Sequence, residues 1–96
     1  MKKFLFLYCG HEAITQEIMD AWSNWFESIG DSIVDSGSPL GPGRERTHNG
    51  INDLPQDKES IGGYSIINAK DMDEAESIAK TNPMITSIRV YEADSM

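Results

Sequence analysis

Only one cysteine, Cys9, occurs among the 96 residues, so no disulfide can form within the chain, and a reducing compartment suits it. Basic residues are also scarce, 8 against 16 acidic ones, for a net charge of −8. Such a surface repels phosphate backbones and anionic lipid headgroups over a Debye length of about 8–10 Å. Nucleic acid needs a basic stripe, and Arg44, Arg46 and His48 make up the nearest approach to one, enough for a single small anion. The apolar run at residues 4–9 is far shorter than the ~20 residues of a membrane span. No small-residue cleavage site follows it, which argues against a signal peptide. Cytoplasmic location is therefore expected, with neither nucleic acid nor membrane as a partner. No complete catalytic or metal-binding motif is present. Cys9 and His11 form a C-x-H, but two ligands fall short of the three or four of a zinc site, so neither metal nor cofactor is expected.

The remaining composition is that of an ordinary globular protein, 39% hydrophobic and 25% charged. One domain over residues 1–96 is expected, burying only roughly 60–65% of the surface that its unfolded chain exposes. The first strand is read at residues 3–9, with Phe4, Phe6 and Tyr8 on one face and Leu5, Leu7 and Cys9 on the other. Residues 13–29 carry a helical stripe of Ile14, Ile18, Trp22, Trp25 and Ile29, with Thr15 as N-cap and Gly30 as a left-handed terminator. A short strand at 31–36 precedes an irregular Gly- and Pro-rich stretch at 37–60. Within it, Asn49–Gly50 signals a turn and a projecting hairpin at 44–52. Gly62–Gly63 permits a turn or a close backbone approach before a third strand at 64–69. Asp71 and Glu74 form a capping box for a second helix with Met72, Ala75, Ile78 and Ala79 inward, ended by Asn82–Pro83. The last strand is read at 85–91, with Ile88 and Val90 on one face and Ser87, Arg89 and Tyr91 on the other, before a frayed tail.

This order is α+β, a ferredoxin-like βαββαβ with a four-stranded antiparallel sheet in spatial order 4-1-3-2 and both helices on one side. The opposite face is left bare although the first and third strands are apolar on both faces. Stacking of two sheets in a homodimer, a dimeric α+β barrel, resolves that conflict.

Several residues carry candidate chemistry. His11, just past the first strand, is either a solvated loop residue or a general base assisted by Tyr8. Trp22 and Trp25 at helical spacing pack a core or stack on a ligand. Arg44 and His48 are solvated loop charges or anion contacts. Arg89 lies on an exposed edge or points into the dimer, where it would need an anionic partner. Two functions follow. One is a homodimeric module binding a small aromatic or anionic molecule, with Tyr8, Trp22, Tyr64 and Arg89 lining a cleft between sheet and first helix, and the 37–60 stretch as a lid. The other is a cofactor-free isomerase, hydrolase or oxygenase using His11 as base.

The stretches FLFLYCGHEA, MDAWSNWFESIG, SGSPLGP and KESIGGYSIINAKDMDEAESIAKTNP resemble the YCII-related proteins, in particular their DGPF-type branch. The resemblance implies a dimeric α+β barrel. It also implies a histidine in the first helix paired with an aspartate before the proline that follows the second. Here the helix offers Met19, Asp20, Ala21 and Trp22, and the aspartate position is Asn82, which cannot ionise. The DGPF tetrapeptide is absent, with INDLPQDKES in its region. The acid–base pair is not carried over.

Overall fold

The computed structural model describes residues 1–10, 15–84 and 86–93. Strands β1 (Lys2–Cys9), β2 (Ile33–Asp35), β5 (Ile61–Ala69) and β6 (Ser87–Ala93) form one antiparallel sheet in the order β2-β5-β1-β6. Helices α1 (Gln16–Ser28) and α2 (Met72–Lys80) accompany it, and β3 (Arg44–Thr47) pairs with β4 (Gly50–Asp53) in a separate two-stranded ribbon. The order matches the expected ferredoxin-like arrangement read from its other edge. Ile14, Ile85 and the tail beyond Ala93 lie outside the described residues.

Register decides which side chains share a face, because cross-strand partners point the same way. Phe4 faces Ile67, Phe6 faces Ser65 and Val90, and Tyr8 faces Gly63 and Ile88. This side holds the core: Phe4, Phe6, Ile67 and Ala69 are fully buried against Trp25, Ala75 and Ala79. The small residues Ala75 and Ala79 let α2 lie close to the sheet. Met72, expected inward, is 43% exposed because it sits in the first turn, beyond the alanine stripe.

Both helix starts follow the sequence. The Thr15 hydroxyl accepts from Ile18 N, and the Asp71 carboxylate accepts from Glu74 N at 2.9 Å. The Glu74 carboxylate reaches back one residue further than the usual box, accepting from Lys70 N at 3.0 Å. Gly30 does not take the left-handed conformation expected of it. Instead the chain tightens into a 3₁₀ turn at Gly30–Ser32, which Ile29 enters by donating its N–H to Trp25 O.

The third strand begins at Ile61, three residues before the expected start, and incorporates both glycines. Gly62 is the extra residue of a bulge between the pairs Tyr8–Gly63 and Cys9–Ile61, and a Cβ there would meet Gly10 O at 2.8 Å. The hairpin forms, but its turn is centred on His48–Asn49, one residue earlier than expected. Gly50, at φ 147°, opens β4 instead of closing the turn.

Leu5, Leu7, Cys9, Tyr64 and Ile66 occupy the sheet face away from the helices and are only half-buried. No described helix crosses that face, and the molecule is a slab of 42 × 39 × 18 Å.

Candidate functional site

Tyr8 lies near the end of β1 on the helix side, where the sheet runs out towards Gly10. Its hydroxyl donates to Ser65 Oγ at 2.8 Å, and Ser65 Oγ donates to Ser36 O at 2.7 Å. Ser65 is fully buried, and this chain satisfies it. Burial pushes the Tyr8 phenol up to about 12, outweighing the lowering effect of its bond to Ser65. The phenol therefore keeps its proton throughout the neutral range. It is a hydrogen-bonding group, not a base.

An aromatic cluster surrounds the phenol. The Trp22 ring meets Tyr8 edge-on at 4.7 Å between centroids, and Trp25 lies at 6.3 Å from Tyr8 and 5.9 Å from Trp22. Phe26 closes the group at 5.1 Å from Trp25. Trp25 is buried and donates its indole N–H to Thr81 Oγ1 at 2.8 Å, tying α1 to the end of α2. Trp22 stays half-buried. Among the described residues the space between sheet and α1 is thus filled by rings, which leave no open cleft between them. Trp25 is core. Trp22 forms the rim.

The residues proposed to line that cleft are divided by the sheet. Tyr8 and Trp22 come together on the helix side. Tyr64 and Arg89 both flank Leu7 on the opposite face, Tyr64 half-buried and Arg89 exposed on the edge strand β6. Arg44 is held at 3.2 Å from Asp53 on the exposed hairpin, and His48 sits in its turn, so neither meets Tyr8's group. The stretch at 37–60 does not close over the rings as a lid. Residues 38–40 run beside the start of β5 and the rest projects away. His11 lies outside the described residues. Among the described residues no cluster of three or more His, Cys, Asp and Glu side chains could hold a metal ion.

Two residues were missed in the sequence. Ser65 had a signal, a lone hydroxyl in the apolar strand YSIINA. Asn82 was noted only for the acid it lacks. It is 6% exposed, and among the described residues neither its Oδ1 nor its Nδ2 has a hydrogen-bond partner. It directly follows Thr81, the acceptor of the Trp25 indole, so a neutral amide occupies the place where the family resemblance implied a carboxylate.

Residues 6–94 match the YCII-related domain. The chain belongs to the YCII-related family. No curated protein matches it closely enough to count. Among solved structures it is similar to 5-chloro-2-hydroxyhydroquinone dehydrochlorinase from Burkholderia phenoliruptrix, determined in complex with 2,5-dihydroxybenzoquinone. The likeness has a TM-score of 0.60 at 20% identity and covers 98% of this chain and 95% of that one. At that identity it speaks for the fold alone, and it places this YCII-related chain on the same architecture along nearly its whole length. Among the described residues no helix is long and apolar enough to cross a membrane.

Proposed function

We propose that this YCII-related chain is a small homodimeric module that binds a flat, hydroxylated ring molecule at the rim formed by Tyr8 and Trp22, with buried Ser65 orienting the Tyr8 hydroxyl from behind. The carrying observation is the Tyr8 hydroxyl, held by Ser65 and through it by the Ser36 carbonyl, next to a half-buried indole. The Tyr8 hydroxyl accepts from a phenol through its second lone pair, or turns its proton from Ser65 to an oxyanion. Trp22 adds a ring against which a flat ligand packs edge-on or offset. The quinone bound to the Burkholderia dehydrochlorinase is likewise a flat, hydroxylated six-membered ring.

Isothermal titration with hydroquinone and with 2,5-dihydroxybenzoquinone tests the reading. At least one of the two is expected to bind once per protomer. Tyr8→Phe should weaken it about tenfold, the loss of one hydrogen bond of roughly 1.4 kcal/mol. Trp22→Ala should weaken it at least as much. Absence of heat with both probes, or affinities untouched by both substitutions, would sink the proposal. High-performance liquid chromatography of the same mixtures tests the second function, with His11 as general base: turnover lost in His11→Ala at unchanged affinity would make this protein an enzyme.

Homodimerisation rests on the open sheet face. Leu5, Leu7, Ile66 and Tyr64 form an apolar strip across the two central strands, continued by Tyr91, 54% exposed, on β6. A contiguous apolar strip of this kind favours a partner over water. Arg89 borders it and offers a cation to an anionic group carried by the second copy or by a ligand held between the two.

A further inference from the structure

Between Leu40 and Ser60 the chain leaves the body and returns. Leu40 N donates to Gly62 O, and Pro39 bridges to Gly63, fixing the outgoing limb to the start of β5. The returning limb is fixed where Ser60 O accepts from Gly10 N. The segment between these anchors is an arm built on the β3–β4 hairpin, its ladder continued by Leu54 N donating to Gly43 O at 2.9 Å. From 41 to 59 every residue except Gly50 is exposed, and neither strand packs appreciably on the four-stranded sheet or on either helix.

A two-stranded hairpin with no third strand or helix behind it is marginally stable at best in water. The ion pair between Arg44 and Asp53 adds little, since both side chains are largely solvated. The arm nonetheless carries side chains unlike those of a solvated loop. Ile51, 51% exposed, lies opposite Arg46 on the same face as Arg44 and Asp53. Leu54, 48% exposed, lies on the reverse face beside Gly43, and Leu40, 45% exposed, marks the root. Arg46 has no carboxylate within ion-pair distance among the described residues, in a protein with 16 acidic side chains.

We propose that the hairpin at residues 44–53 is a docking arm that lies on a second copy of this chain, with Ile51 packed against it and Arg46 paired with one of its carboxylates. Charge complementarity selects this occupant. The hairpin is neutral, Arg44 and Arg46 against Glu45 and Asp53, and presents unpaired Arg46 beside an apolar side chain, whereas the rest of the chain carries the whole net charge of −8, including Asp73 and Glu76 on α2 and Glu17, Asp20 and Glu27 on α1. A second copy also supplies the support that the hairpin lacks within its own protomer. The proposal rests on the homodimer reading and adds to the stacked sheets a contact made by the arm.

Amide hydrogen exchange of the full chain, read on peptides spanning 43–54 with light scattering on the same samples, separates the two claims. In the dimer the ladder amides of the arm should exchange at least tenfold more slowly than in samples diluted until the protein is monomeric. The double variant Ile51→Ser, Arg46→Glu should restore fast exchange in the arm while β1 and β5 stay protected. A dimer whose arm exchanges as fast as an unstructured peptide would overturn the arm and leave the dimer standing. Equal protection of the arm in monomer and dimer would also overturn it, since the support would then lie within the protomer. A protein that stays monomeric at all concentrations would remove both claims.

Discussion

Replacing Leu5 with glutamate is expected to turn the proposed homodimer into folded monomers. Leu5 sits mid-strand on the open sheet face, between Ile66 on β5 and Tyr91 on β6, with no cation as its direct cross-strand partner. In a protomer alone the new carboxylate points into water, so folding changes little. Between stacked sheets it would be stripped of water without a counter-charge, and the two-fold axis makes each protomer suffer this. An uncompensated buried charge costs about 3–5 kcal/mol. A loss of about 4 kcal/mol or more raises the dissociation constant roughly a thousandfold. Light scattering at micromolar concentration reads the outcome: a dimer for the wild-type protein, a monomer for Leu5→Glu with an unchanged far-ultraviolet spectrum. Met19→Glu is the control, because Met19 is 53% exposed on α1, away from that face, and should leave the dimer intact. A dimeric Leu5→Glu would mean that the sheet face is not the interface.

The second large effect is on stability. Trp25→Ala should cost about 3–5 kcal/mol, the range for deleting a large buried aromatic side chain. Trp25 is 4% exposed and packs against Tyr8, Trp22 and Phe26, and its indole N–H is satisfied by Thr81. Its removal leaves a cavity between sheet and α1 and cuts the tie to the end of α2. Domains of this size have roughly 5–15 kcal/mol in total, so the variant should be close to unfolding at physiological temperature. Thr81→Val isolates the hydrogen bond and should cost nearer 1 kcal/mol, since the indole edge can then turn to solvent or remain partly unpaired. Denaturant titrations at one fixed protein concentration measure both, because a dimer would make apparent stability depend on concentration. A loss below about 1 kcal/mol for Trp25→Ala would show that the rings are a surface cluster and not the core.

Much of this architecture was legible because local signals agreed with one another. Alternation in FLFLYC, the caps at Thr15 and Asp71, and the 3.6-residue stripe through Trp22 and Trp25 each named an element that formed. The site was harder to read, for a reason of parity. Tyr8 and Tyr64 lie on neighbouring strands, but which pair shares a face depends on register, and a slip of one residue reverses the answer. The structure sets Tyr8 opposite Gly63, so Tyr64 turns to the other face and takes its place beside Leu7 and Arg89. Gly30 misled because a glycine after a helix usually marks a left-handed cap, whereas this chain needs a 3₁₀ turn to deliver Ile33 to the edge of β5. Asn82 could not be recognised as buried from its place beside a proline, a position that is usually exposed. Ser65 was visible as a polar residue in an apolar strand, but its link to Tyr8 spans 57 residues and required the sheet to be assembled.

A ¹H–¹⁵N nuclear magnetic resonance titration with hydroquinone and 2,5-dihydroxybenzoquinone reads whether a hydroxylated ring binds at Tyr8 and Trp22. Saturable shifts should centre on the Trp22 indole N–H and on the amides of Tyr8 and Ser65, with smaller ones at Gly63. Shifts confined to Leu7, Tyr64 and Arg89 on the opposite face, or none with either compound, would contradict the proposed binding.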